Sequence, residues 1–180
     1  MSKDTALVVI DMQVGLIEPA YRGKEVLDAI NALLSKARAS STPVIYVQHD
    51  EPKGHELEVG TPAWEIHPAI TPKEDELIVH KRASDSFYET SLQRELAARG
   101  IKHLVVVGCQ TEYCVDTTVR RATTMGYNVT LVKDAHTTDD YEEAVLTAAQ
   151  RIDYHNEVLN GFRTDEHVIR VKPADEVVFF

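Results

Sequence analysis

The sequence predicts an α/β fold, a doubly wound and mostly parallel six-stranded sheet with helices on both faces. Three observations predict it. Short apolar runs of strand length alternate along the whole chain with segments whose apolar residues recur at helical spacing. That strict alternation implies right-handed crossovers and a parallel sheet covered on both sides. The 180 residues are enough to bury one sizeable core, so one domain over 1–180 is expected.

Residues 6–10 form the first strand. Val26, Leu27, Ile30, Leu33, Leu34 and Ala37 then repeat as one face of a helix. Pro43 opens the second strand, 44–47, and a long loop rich in proline and glycine follows. A short third strand covers 77–79, and a helix covers 91–99 and stops at Gly100. The fourth strand is 104–107. A helix bearing Val115, Val119 and Ala122 on one face ends at Gly126. Strand five is 129–132. A long helix over 141–159 ends at Gly161, strand six is 168–171, and residues 177–180 form an apolar tail. The expected Rossmann-like strand order is 3-2-1-4-5-6.

Composition excludes several classes of function. A formal net charge of −10 argues against nucleic acid or an anionic membrane as partner. No apolar run approaches the roughly 18 residues of a membrane span. Asp11 interrupts the first apolar stretch, too short for a signal peptide, so a cytoplasmic location is the default expectation. Two cysteines make no disulfide framework and are expected as free thiols. A small-molecule substrate remains as the expected partner.

The richest stretch is LVVVGCQTEYCVDTT, 104–118. It places Cys114 after a strand and a polar turn, at the start of a helix. The positive end of a helix dipole favours thiolate there, so a lowered thiol pKa is expected. In doubly wound sheets, sites form beyond the carboxyl ends of the strands. Asp11 ends strand one, Lys81 follows strand three and Cys114 follows strand four. If strands one and four are neighbours, Asp11 and Cys114 share a cleft. A carboxylate accepts a thiol proton and an ammonium stabilises the thiolate, a combination suited to acyl transfer.

The blocks ALVVIDMQ, IHPAI, HKRASDSFYETSL, GIKHLVVVGCQTEYCVDTTVRRATTMGY and VKDAHTTDD occur in this order over nearly the whole chain. In them the chain resembles the isochorismatase-like cysteine hydrolases, a family that includes nicotinamidases and other amidohydrolases. The resemblance implies a catalytic triad of Asp11, Lys81 and Cys114. It also implies a cis peptide at Cys109–Gln110, an oxyanion hole from the backbone N–H groups of Gln110 and Cys114, no cofactor, and a homo-oligomer. The chain departs from the family in two places. Metal-binding nicotinamidases carry Asp-x-His and a further His after strand two. Here Gln48, His49, Asp50 and Glu51 stand there, so no metal site is expected. Asp85 stands where the family often has Ser, an extra carboxylate expected near Lys81.

Around this core, Gln13, Trp64, Phe87 and Tyr113 are candidate substrate-binding residues. Gln13 stands equally as a turn cap, Trp64 and Phe87 stand also as core, which is the better reading for Phe87, and Tyr113 stands also as a subunit contact. His49, His55 and His67 are expected at the surface, because their spacing fits no metal template. Asp139, Asp140, Glu142 and Glu143 are expected as the acidic start of the long helix. The expected activity is cysteine-dependent hydrolysis of a small amide or related C–N bond through a thioester. The alternatives are an isochorismatase-type enol-ether hydrolase, against which Cys114 speaks, and a non-catalytic relative with a redox-reactive thiol.

Overall fold

Both faces of the central strands are buried, which explains why they read as unbroken apolar runs. The structure, a computed structural model, describes residues 4–180. Strand β1 is Thr5–Ile10. A single-turn helix α1, Val14–Ile17, and a long helix α2, Gly23–Ala39, lead to β2, Val44–His49. Then come β3 (Leu77–Lys81), α3 (Leu92–Ala98), β4 (His103–Cys109), α4 (Asp116–Thr124) and β5 (Asn128–Thr137). Helix α5 (Ala148–Leu159), β6 (Arg163–Thr164) and β7 (His167–Lys172) complete the order.

The sheet order is β3-β2-β1-β4-β5-β7-β6, all parallel except the β6–β7 pair. The six expected strands occupy the first six places in the expected order, with 168–171 found within β7. The seventh, β6, is a two-residue antiparallel edge strand, too short to leave a periodic signal.

Alternation along β1 sends Leu7 and Val9 to one face and Ala6, Val8 and Ile10 to the other. The first face packs under α2, whose Val26, Leu27, Ile30, Leu33, Leu34 and Ala37 form the expected stripe. Val177 and Phe179 of the tail close this layer, whereas Val178 and Phe180 stay exposed. The opposite layer gathers α3, α4 and Leu159 of α5.

Two expected elements shift. Helix α5 begins at Ala148, not at Tyr141, because Thr147 caps it: its side chain accepts from the Gln150 N–H while the Gln150 side chain accepts from the Thr147 N–H. Of the acidic residues before it, Glu142 and Glu143 lie in a turn and Asp139 and Asp140 in irregular chain, where Asp140 accepts from the Ala148 N–H. Strand β5 runs on to Thr137, five residues past the expected end, with an irregular register against β4 between Val106 and Gly108. At Gly108, φ is +131°, and a Cβ would fall 2.1 Å from the Ile10 carbonyl oxygen. Only glycine lets the ends of β1 and β4 approach this closely.

Candidate active site

The parallel order brings the carboxyl ends of β3, β2, β1 and β4 side by side. Each end contributes one polar side chain to a single cluster. Asp11 follows β1 directly and is fully buried, its backbone in the left-handed region at φ 48°. Lys81 is the last residue of β3 and His49 the last of β2. Beyond β4 the Cys109–Gln110 peptide is cis. A single π-helical turn, Thr111–Val115, then carries Cys114 just ahead of α4.

The Lys81 ammonium is the centre of this cluster. Its Nζ lies 2.7 Å from Asp11 Oδ2 and 3.1 Å from Cys114 Sγ. It lies 3.0 Å from His49 Nδ1 and 2.9 Å from the Ala83 carbonyl oxygen. Both side chains of the Lys81–Asp11 pair are completely sealed from solvent. Asp11 Oδ1 receives no hydrogen bond among the described residues. The Asp11 N–H donates to the Val47 carbonyl. The Gln110 N–H, at the matching strand end, donates to no acceptor among the described residues.

Burial alone would lower the Lys81 pKa, but Asp11 and Cys114 outweigh it and the net shift is upward. The Cys114 thiol goes the other way from the expectation for a helix start. Burial and the Asp11 carboxylate push it up to about 12, against the pull of Lys81. The correction has a magnitude behind it: a helix terminus contributes about 0.3–1 kcal/mol, less than the removal of a thiolate from water beside a carboxylate. The resting sulfur is therefore a thiol next to a base. Cys109 is wholly buried, donates its S–H to the Asp11 carbonyl at 3.0 Å, and is held far from ionisation by burial.

The residues expected to bind substrate divide. The Gln13 amide is spent on the backbone: Nε2 donates to the His49 and Trp64 carbonyls, and Oε1 accepts from the His49 N–H. It braces the loop and has no donor left for a ligand. Phe87 is buried against Tyr127 and belongs to the core. Trp64 is half-buried, stacks on His80 and donates Nε1–H to Asp50 at 2.8 Å. Tyr113 is exposed beside Tyr141. Asp85 does not face Lys81; its carboxylate accepts from the Phe87 N–H and lies 3.6 Å from Arg121.

His49 is the residue that sequence reasoning missed. It was expected at the surface, yet it reaches the Lys81 ammonium. The only signal was its place at the end of an apolar strand, the same position that singled out Asp11. His55 is exposed, and His67 Nδ1 accepts from the Ala69 N–H, so neither joins the site.

Asp11, His49 and Cys114 form the one group of possible metal ligands among the described residues, their donor atoms within 4.8 Å of one another. All three surround the Lys81 ammonium, so the cation of this donor set is already supplied by the chain. Asp50 and Glu51 are committed elsewhere, to Trp64 and His80 and to the Leu57 N–H. The residues present do not fit a metal as well as they fit the lysine.

A cavity of about 380 Å³ between the start of α2 and α5 touches none of the four clustered residues. A second, about 370 Å³ and bounded in part by Asp50, His80 and Tyr88, reaches Lys81. Chemistry rather than volume marks the site.

Known proteins resemble this chain over most of its length. The isochorismatase domain model matches residues 5–161. A streptothricin hydrolase from Streptomyces noursei is 37% identical over 142 residues, 77% of this chain and 51% of that protein; the chain spans about half the length of this relative. A ureidoacrylate amidohydrolase from Caulobacter vibrioides is 27% identical over 173 residues, covering 74% of this chain and 76% of that one. The crystal structure of a cysteine hydrolase from Pseudomonas syringae pv. phaseolicola superposes with a TM-score of 0.86 at 26% identity, covering 97% of this chain and 90% of its own. With most of its length matched by the domain model, over residues 5–161, the chain belongs to the isochorismatase family.

Proposed function

We propose that the protein is a cysteine hydrolase of a small amide or related C–N bond. The observation that carries this reading is the sealed Asp11–Lys81 pair set against the Cys114 sulfur, with Lys81 Nζ 2.7 Å from one and 3.1 Å from the other. A buried ion pair of this kind is an expensive way to stabilise a fold. Placed against a thiol at the carboxyl edge of a sheet, it has a chemical use.

Asp11 Oδ1, free of other donors, takes the thiol proton as the sulfur attacks the carbonyl carbon. Lys81 keeps its proton throughout and holds the developing thiolate. The Gln110 and Cys114 N–H groups receive the tetrahedral oxyanion, a contribution worth roughly 3–4 kcal/mol per good donor. The C–N bond then breaks, and the amine leaves with the proton from Asp11. Water, deprotonated by Asp11, attacks the thioester, releasing the carboxylic product and restoring the thiol. A purely redox role is disfavoured, because oxidation follows thiolate character and Cys114 rests protonated.

The test is a panel of amides, ureides and hydroxamates offered to the wild-type protein, Cys114→Ala and a chelator-treated sample. We expect at least one substrate to be turned over by the wild type with or without chelator. Cys114→Ala is expected to lose roughly a thousandfold or more. Activity that collapses on chelation and returns with zinc or manganese would overturn the metal-free mechanism.

A further inference from the structure

We propose that His49 is a positioning residue of this site: its Nδ1 lone pair holds the Lys81 ammonium in aim at Asp11 and Cys114. The inference rests on the cysteine chemistry proposed above. Lys81 has three protons and four acceptors within 3.1 Å, namely Asp11, His49, Ala83 and Cys114. Loss of one acceptor changes how the remaining three share the ammonium.

The imidazole is itself fixed. The Gln13 side chain clamps the His49 backbone from both sides, accepting from its N–H at 2.8 Å and donating to its carbonyl at 2.9 Å. An ammonium has no lone pair, so in this contact Nδ1 must be the acceptor and Nε2 must carry the proton. Nε2 has no partner among the described residues, so the tautomer is set by Lys81 alone.

This role is open only to neutral histidine. A protonated ring would lose its acceptor and set a second cation 3.0 Å from the first. The groups around His49 are Lys81 at the end of β3, Asp11 after β1, Cys114 in the turn after β4, and Glu51 and Asp50 on its own loop. Burial, then Lys81, lower its pKa from 6.5, and the three carboxylates oppose them. The net is downward, so the ring keeps its neutral form to lower pH than a free imidazole and loses its hold on Lys81 only where acid protonates it.

Two readouts that need no substrate test the proposal. The first is the rate of Cys114 alkylation by iodoacetamide against pH, in wild type, His49→Phe and His49→Asn, with peptide mapping to assign the thiol. Asn places Oδ1 near the position of Nδ1 and does not titrate. We expect His49→Phe to slow alkylation at pH 7 by roughly 10- to 100-fold, the cost of a misplaced catalytic group. His49→Asn is expected to recover much of that rate and to lose the acid-side fall. The second readout is the 15N spectrum of His49, expected to report the Nε2–H tautomer in wild type and a shift away from it in Lys81→Met. If His49→Phe, folded by circular dichroism, alkylates at the wild-type rate, the proposal fails. It fails equally if His49→Asn keeps the wild-type acid limb, or if the spectrum reports Nδ1–H. Wild-type protein labelled first at Cys109 would instead overturn the cysteine reading beneath it.

Discussion

A thiol with a pKa near 12 is inert at neutral pH unless a base takes its proton during attack. At the scale of single residues, the division of labour follows. In the proposed reaction Asp11 is the base, and it raises the thiol pKa because it pulls on the same proton. Lys81 is proposed as the fixed charge. Lys81→Met tests this separation. It leaves Asp11 buried without a cation, a loss of roughly 3–5 kcal/mol of stability, and it raises the Cys114 pKa further by removing its one opposing cation. Because the folded Lys81 pKa lies above its ordinary 10.5, its stabilisation is present below that value and lost as the pH climbs through the folded one. Urea titrations at pH 7 and above pH 10.5 should therefore show the variant's deficit shrinking on the alkaline side. A constant deficit would mean that the pair contributes packing and not charge.

At the scale of elements, the strands and α2 were legible because burial leaves a direct trace in the sequence. Residues 6–10, 44–47, 104–107 and 129–132 are apolar because both sheet faces are covered. The start of α5 was misread for an instructive reason. Acidic residues at 139–143 look like dipole-complementing helix starts, but Thr147 and Gln150 stand three apart with helix formers between them. That capping box was readable, and it is worth more than diffuse charge. Thr147→Ala is expected to cost about 1 kcal/mol, measured as a lowered urea midpoint with an unchanged slope. A variant as stable as wild type would return the helix start to the acidic segment. Lys81 by itself reads as a solvated loop charge and was singled out by the family resemblance, whereas Asp11 and Cys114 were legible because each ends or follows a strand. His49 had the same signature, but its partner Lys81 lies on the neighbouring strand β3, a pairing that only the register discloses. The bracing of Gln13 was equally hidden, since its acceptors are backbone carbonyls that carry no side-chain signal.

At the scale of the whole molecule, the acidic balance and the sheet order act together. All four polar strand ends meet at one edge because β3, β2, β1 and β4 are adjacent and parallel. Antiparallel neighbours would send alternate ends to the opposite edge of the sheet. Self-association is proposed for this molecule, with the exposed Tyr113, Tyr141, Val145 and Leu146 as the apolar surface to be covered. The apolar tail offers less to such a contact, since Val177 and Phe179 already complete the core. Light scattering at micromolar concentration is expected to report at least twice the 20.2 kDa chain mass, and a clean monomer would refute it.

The proposed reaction requires a covalent acyl intermediate on Cys114 with Asp11 as its base. Rapid-quench mass spectrometry during turnover of an amide found in the substrate panel detects that intermediate. One acyl adduct is expected, mapped to Cys114, formed far more slowly in Asp11→Asn and absent from Cys114→Ala. Turnover by Cys114→Ala at the wild-type rate, or an adduct mapped to Cys109, would contradict it.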